Sequence, residues 1–283
     1  MPDRRTLNDK ARLLRSLHDV QDGEALVLPN AWDAAGAALI AGAGARAVAT
    51  TSGGIAWSLG RPDGQHLTRQ EMAEALRRIV AAVDVPVTAD VEGGYGPAPG
   101  DVRTTVEAVI EAGAAGINLE DSRAPGGPLF DPGAQARRIT AARRAAAAGA
   151  VPDLVVNART DVFLAEIGAP EGRLDEVLRR GLAYAGAGAD CLFVPGLLDA
   201  ASLKALAHEL PMPVNAMAVP GGPDIAELAA AGVRRISVGA TLAQVAHGAL
   251  RRAAAGILAG TFEDCAGALE FAEVDSLFDR SGR

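Results

Sequence analysis

The chain has 283 residues, 49% hydrophobic and 22% charged, so it carries enough apolar material to bury a substantial core. A formal net charge of −8 argues against nucleic acid or an anionic membrane as partner, since both call for clustered Lys and Arg on a basic surface. The N-terminus lacks the apolar run of a signal peptide and no stretch has the uninterrupted apolar length of a membrane span, so a cytoplasmic protein is expected.

In chain order, a leading helix is predicted near 6–18, followed by short β-rich apolar runs alternating with Ala-, Leu- and Arg-rich helical stretches. The strands fall at 25–29, 45–51, 85–91, 115–120, 154–159, 191–195, 213–217 and 235–238. The helices between and after them fall near 33–43, 68–82, 101–112, 132–148, 172–187, 199–208, 223–230 and 241–258. Eight strand–helix units fit a closed α/β barrel, the (β/α)8 TIM fold, better than an open doubly wound sheet. Gly44, Gly113, Gly188 and Gly232 close helices at the end of the barrel away from chemistry. No linker interrupts the pattern, so a single domain over 1–283 is expected, with a barrel core at about 20–260. The extension 261–283 looks helical and amphipathic through Phe262, Leu269, Phe271, Val274, Leu277 and Phe278. The pairs Arg77-Arg78, Arg137-Arg138, Arg143-Arg144, Arg179-Arg180, Arg234-Arg235 and Arg251-Arg252 read as solvated outer faces. Cys191 and Cys265 read as buried small hydrophobes, neither a disulfide nor a zinc site.

Barrel active sites gather at the C-terminal ends of the strands, and there the polar residues are dense. Alternation along the strands turns Thr88, Asp90 and Glu92 inward on the third, Asn118 and Glu120 on the fourth, and Asn157, Arg159 and Asp161 on the fifth. Carboxylates crowded at one mouth repel one another and lose solvation, so a cation is expected among them, and an oxygen-only donor set favours Mg2+ or Mn2+. The alternative is that these acids make ordinary rim salt bridges with Arg159. The run Gly93-Gly94-Tyr95-Gly96 favours the first reading, because small residues keep a loop close to a ligand, and it makes Tyr95 a candidate. Gly221-Gly222 and Gly239 read as turn glycines ahead of a phosphate site. His66 reads as a loop-surface residue ahead of a base, and His18, His208 and His247 as surface or packed residues. Trp57 either lines the mouth or covers the core.

Six motifs in order resemble the isocitrate lyase/phosphoenolpyruvate mutase superfamily over roughly 20–260. They are Pro29-Asn30-Ala31-Trp32-Asp33, Ser52-Gly53, Leu59-Gly60-Arg61-Pro62-Asp63, the segment from Thr88 to Gly96, Asn118-Leu119-Glu120-Asp121, and Asn157-Ala158-Arg159-Thr160-Asp161. The resemblance implies that Asp90 binds Mg2+ directly while Asp63, Glu92 and Glu120 hold its water ligands. It assigns the substrate carboxylate to Ser52 and Gly53, an anion clamp to Arg159 with a contribution from Asn215, and a homodimer or homotetramer to exchange of the last helix.

The chain also departs from the family. Where lyase members carry a Lys-Lys-Cys-Gly-His loop whose Cys donates a proton, residues 122–130 read Ser-Arg-Ala-Pro-Gly-Gly-Pro-Leu-Phe. A Glu expected at the end of the sixth strand is replaced by Val194-Pro195-Gly196. What remains can stabilise an enolate but lacks a specialised acid. Decarboxylation of an oxaloacetate-type acid is therefore favoured, because CO2 leaves without an acid. The alternatives are a C–C lyase of the isocitrate or methylisocitrate kind in which Arg123, Tyr95 or a water replaces the Cys, a P–C bond enzyme, and a ligand-binding relative without turnover.

Overall fold

The computed structural model describes residues 3–19, 24–197 and 199–279, so residues 20–23 of the expected barrel core and 280–283 of the expected extension lie outside it. Helix α1 (Arg4–Ser16) starts where Asp3 accepts a hydrogen bond from the Arg5 amide. Its buried face, Leu7, Ala11 and Leu14, closes the N-terminal end of the barrel, and Leu14 lies against Gly116. Arg15 pairs with Asp190 at 2.6 Å, and Asn8 donates to Asp153, tying the helix to the bottom of the sheet.

The barrel staves are β1 (Leu26–Leu28) with β2 (Asn30–Ala31), β3 (Val48–Thr50), β4 (Val87–Asp90), β5 (Gly116–Glu120), β6 (Val155–Arg159), β7 (Cys191–Phe193), β8 (Val214–Met217) and β9 (Arg235–Ser237). The pairings between these strands are parallel. Pro29 has no N–H to give a ladder and splits the first stave: β1 pairs with β9, β2 pairs with β3, and the sheet closes. Eight staves thus form a TIM barrel, as the sequence predicts.

The outer layer contains α2 (Ala34–Gly42), α4 (Arg69–Ala82), α5 (Pro99–Ala112), α6 (Pro132–Ala148), α7 (Arg173–Gly186), α8 (Ala200–Glu209), α9 (Ile225–Ala230) and α10 (Thr241–Leu258). Their starts are chemically marked. Thr68 with Glu71 and Asp224 with Glu227 form capping boxes, and Asp131 caps α6 ahead of Pro132. The core lies between staves and helices, where Ile117, Leu119, Val156, Ala158 and Leu192 are fully buried.

The structure corrects several expectations. Ser52–Ser58 forms a short helix, α3, that is not among the predicted helices, and the described part of the extension carries a 3-10 turn and α11 (Phe271–Ser276), with Phe262 and Phe271 strongly exposed. Cys191 is buried, but Cys265 is only partly covered. Arg138, Arg180 and Arg235 are 1%, 6% and 2% exposed, so these three are interior residues and not solvated faces. Arg138 and Arg180 turn toward acceptors far away in sequence, Pro97 and Asp121, and Arg235 sits on a strand. No helix among the described residues is long and apolar enough to cross a membrane.

Candidate active site

Parallel register carries the site across three staves: Asp90 lies opposite Asn118, Asn118 opposite Asn157, and Glu120 opposite Arg159. Side chains in register on one face meet, so Asn118 donates to Asp90 Oδ1 at 3.1 Å and Asn157 donates to Asn118 Oδ1 at 3.0 Å. The Asp90 carboxylate also accepts the Ser52 amide at 3.1 Å and the Glu92 amide at 3.2 Å, and its own amide donates to Thr50 Oγ1. Its position is therefore fixed from three elements. Ser52, assigned to a substrate carboxylate by resemblance, uses its N–H on Asp90 here.

Beyond β4 the chain turns sharply. Glu92 and Tyr95 adopt positive φ, 49° and 56°, a region that non-glycine residues seldom enter. Arg138 on α6 explains how the turn is held: its guanidinium donates to the carbonyls of Gly93, Gly96 (2.9 Å) and Pro97 (2.8 Å), and it stacks on Phe130 at 4.1 Å. A Cβ at Gly93 would come within 2.8 Å of Gln65, so this glycine lets the 61–65 loop close over the acids. The Gln65 amide then donates to Glu92 Oε1 at 2.7 Å. Glu92 Oε2 and the Tyr95 hydroxyl are buried with no third group bonded to either, and the two act on one another. Burial, with Asp90 and Asp63 adding, pushes the Glu92 carboxyl up to about 7. Burial and the Glu92 charge push the Tyr95 hydroxyl up as well, so it stays protonated.

Arg159 is held by two carboxylates where it lines the site. It pairs with Glu120 at 3.1 Å and grips Asp161 through Nε at 2.5 Å and Nη2 at 3.1 Å. Burial works against its charge, but Glu120 and Asp161 outweigh it and keep the guanidinium ionised. The rim pairing weighed from the sequence thus exists for Glu120 and Asp161, and not for Asp90 or Glu92. Burial pushes the Glu120 carboxyl up against the pull of Arg159, with Asp161, Asp90 and Glu92 adding to the rise. Asp161 is held in turn by Ser122 Oγ at 2.6 Å. Behind it, fully buried Asp121 takes Arg180 at 2.9 Å and Tyr184 at 2.7 Å.

Two adjoining chambers, of about 200 and 270 Å3, share Ser52, Asp63, Arg159 and Leu164. The inner one is lined by Asp90, Asn215 and Arg235, the outer by Glu92, Glu120 and Asp161. Asp63 sits over Gly53, where a Cβ would approach its carboxylate to 3.2 Å. Gly239 lines the inner chamber, whereas Gly221 has open space around it. Tyr95 lines neither chamber and packs behind Glu92. Exposed His66 and His208 stand apart from both chambers, His18 is packed under the barrel, and His247 faces Trp32 and Trp57 at ring distances of 6.4 and 6.0 Å. From the sequence Asp121 had no role beyond its motif, and Arg138, Arg180 and Arg235 were placed on solvated faces.

A family model described as phosphoenolpyruvate phosphomutase matches residues 14–258. A solved Burkholderia cenocepacia J2315 protein, provisionally assigned as a lyase/mutase, superposes with a TM-score of 0.88 at 38% identity, covering 97% of each chain. Phosphonopyruvate hydrolase, solved in complex with oxalate and Mg2+, superposes with a TM-score of 0.81 at 28% identity over 95% of this chain and 94% of that one. Bacillus subtilis 2-methylisocitrate lyase is 32% identical over 217 residues, 74% of this chain and 66% of that protein. An oxaloacetate decarboxylase of Rhodopseudomonas palustris is 36% identical over 162 residues, 55% of this chain and 53% of that protein. The barrel, the acids at its mouth and these matches together make the chain a member of the phosphoenolpyruvate mutase/isocitrate lyase superfamily.

Proposed function

We propose that the protein is a cytoplasmic, Mg2+-dependent enzyme that breaks a C–C bond of a small 2-oxo or 2-hydroxy carboxylic acid, with decarboxylation of an oxaloacetate-type acid as the favoured reaction. The observation that carries this reading is an acid-rich barrel mouth covered by a loop that brings no acid of its own. Residues 122–130 close on the 61–65 loop, where Pro125 abuts Gly64, and they contain no Cys, Lys or His.

The residues fit a hard divalent cation. Asp63, Asp90, Glu92 and Glu120 offer oxygen only, and the Glu92 carboxyl, buried and pushed up with Asp90 and Asp63 adding, marks a set of acids that a cation would relieve. Among the described residues no three His, Cys, Asp or Glu side chains converge closely enough to hold an ion. The ligand set we propose therefore gives Asp90 the direct contact and leaves Asp63, Glu92 and Glu120 to act through water, in keeping with the reluctance of Mg2+ to shed its waters. The cation would act as a Lewis acid on the 2-oxo group. Asn118 and the Ser52 amide hold the Asp90 carboxylate in place, and Arg159, aimed by Asp161, presents a fixed positive charge to an anionic substrate. When the bond from C3 to the departing carboxylate breaks, its electron pair passes into the C2–C3 system, CO2 leaves, and C3 takes a proton from water. Tyr95 stays protonated and supports Glu92 from behind.

Helix α10, the last of the barrel's outer layer, supports a homo-oligomer built by helix exchange. Ala243 is the one buried residue of α10, and Val245, Leu250 and Leu258 are exposed. A groove of about 570 Å3 beside β1, lined by Val27, Pro29, Ile40 and Leu242, remains open to a partner's helix.

The test is a Mg2+-dependent screen of oxaloacetate, isocitrate, 2-methylisocitrate and phosphonopyruvate, following pyruvate or glyoxylate, with Asp90→Ala as control. Pyruvate release from oxaloacetate above the free-metal rate, lost in the variant, is the expected result. Glyoxylate release would replace decarboxylation with the lyase alternative. Turnover unchanged in Asp90→Ala would sink the metal-site reading.

A further inference from the structure

Arg235 opens β9 opposite Asn215 on β8, and both point into the inner chamber. The side chain is 2% exposed, and neither its Nε nor its Nη1 has a hydrogen-bond partner. The surrounding wall is also incomplete: Thr88 Oγ1, Asn157 Oδ1 and Asn215 Nδ2 are buried and unpaired. A neutral pocket of this kind would be satisfied by water, but a buried guanidinium without a counter-ion is costly.

The neighbouring groups do not supply one. Burial pushes the Cys191 thiol up to about 12 and His18 down to about 4, so both are neutral near pH 7, and burial lowers Arg235 only to about 10, so it remains charged. Asp90 is the carboxylate that acts on Arg235 through space, yet its oxygens accept from Ser52, Glu92 and Asn118. Arg159, by contrast, already has Glu120 and Asp161. Arg235 is therefore the cation lining this cavity that has no carboxylate hydrogen-bonded to it among the described residues.

We infer that Arg235 is the receptor for a carboxylate at the floor of the inner chamber, flanked by the Thr88 hydroxyl and the Asn215 amide as donors. Asn157 Oδ1, an acceptor, is left to a water or a substrate hydroxyl. This deepens the carboxylic-acid reading above and rests on it: the substrate carries one acid group down to Arg235 while its reacting end lies among the acids at the mouth. A small free anion such as chloride has the same chemistry, and the test separates the two.

Malonate and chloride are titrated calorimetrically into the full-length protein, in EDTA and again in Mg2+, with wild type, Arg235→Gln and Asn215→Asp. Wild type should bind malonate, and chloride should compete. Charge-assisted hydrogen bonds to a buried anion predict roughly 10- to 100-fold weaker malonate binding in Arg235→Gln. Asn215→Asp places a carboxylate beside Arg235 and should abolish the site while raising Tm, because it pairs the buried charge. Arg235→Gln should leave the ligand-free Tm unchanged or higher, whereas a residue that merely braces the barrel would lower it. Equal malonate affinity in wild type and Arg235→Gln would overturn the assignment and leave the enzyme reading standing. Chloride bound without competing with malonate would show a bare inorganic anion on the floor and overturn it too. Failure of wild type to bind any carboxylate, with or without Mg2+, would sink both.

Discussion

Replacing Arg138 by Met tests whether the acid-bearing turn is held from behind by helix α6. Met keeps apolar bulk against Phe130 but removes every donor. Three loop carbonyls, those of Gly93, Gly96 and Pro97, lose a charged partner, at about 1.5–3 kcal/mol each. Against that loss stands relief from burying a guanidinium that is only 1% exposed, itself worth several kcal/mol. The balance is a destabilisation of about 2–4 kcal/mol, or a fall in Tm of about 5–10 °C for a protein of this size. Because the turn also carries Glu92 and Tyr95 at positive φ, the variant should lose Mg2+ affinity even at temperatures where it is folded. Thermal denaturation followed by circular dichroism gives the first quantity, and calorimetric Mg2+ titration at 20 °C below the variant's Tm, roughly outside its transition, gives the second. A Tm within about 2 °C of wild type together with unchanged Mg2+ affinity would show that the turn holds its shape without Arg138, and the reasoning would fail.

Other expectations follow from the same geometry. Glu92 is raised from 4.5 to about 7, so the protonated form favours folding: that stability is fully present below pH 4.5 and is lost as pH rises through 7. The loss is roughly 3 kcal/mol as an upper value, and urea titrations across this range should show it shrink in Glu92→Gln and in excess Mg2+. Asp161→Asn should release Arg159 from its two-point grip and lower kcat/KM by about 100-fold with a small change in Tm, and equal kinetics would deny Asp161 its aiming role. Tyr184→Phe removes the 2.7 Å bond to buried Asp121 and should cost about 1–2 kcal/mol in chemical denaturation. Leu250→Glu with Leu258→Glu on the exposed face of α10 should give a monomer on analytical ultracentrifugation, and an unchanged oligomer would place the interface elsewhere.

The parts of this protein that were legible from sequence are those whose cause is local. Strand alternation puts Asp90, Asn118, Glu120, Asn157 and Arg159 on the inner face because side chains two apart point the same way, and register then brings them together. Caps mark α4, α6 and α9 because Thr68, Asp131 and Asp224 satisfy amides within their own first turns. Helix α3 escaped because Ser52-Gly53-Gly54 has the composition of a turn, and it is helical only where β3 delivers it over the barrel mouth.

The interior arginines escaped for a different reason. Whether an arginine is buried depends on acceptors that the local sequence does not reveal. Arg138 finds its carbonyls about 40 residues upstream, and Arg180 finds its carboxylate at Asp121, 59 residues away. Adjacent Arg residues on a helix point in different directions, so a pair such as Arg137-Arg138 offers one side chain to solvent and one to the neighbouring element. A partly buried helix can keep the inward arginine when a loop rich in free carbonyls faces it, and Gly93-Gly94-Tyr95-Gly96 is such a loop, since its glycines leave the carbonyls unscreened. Arg235 has no such loop. Its neighbours on the floor offer no negative charge of their own beyond Asp90, and that difference separates an arginine that builds the site from one that waits for a ligand.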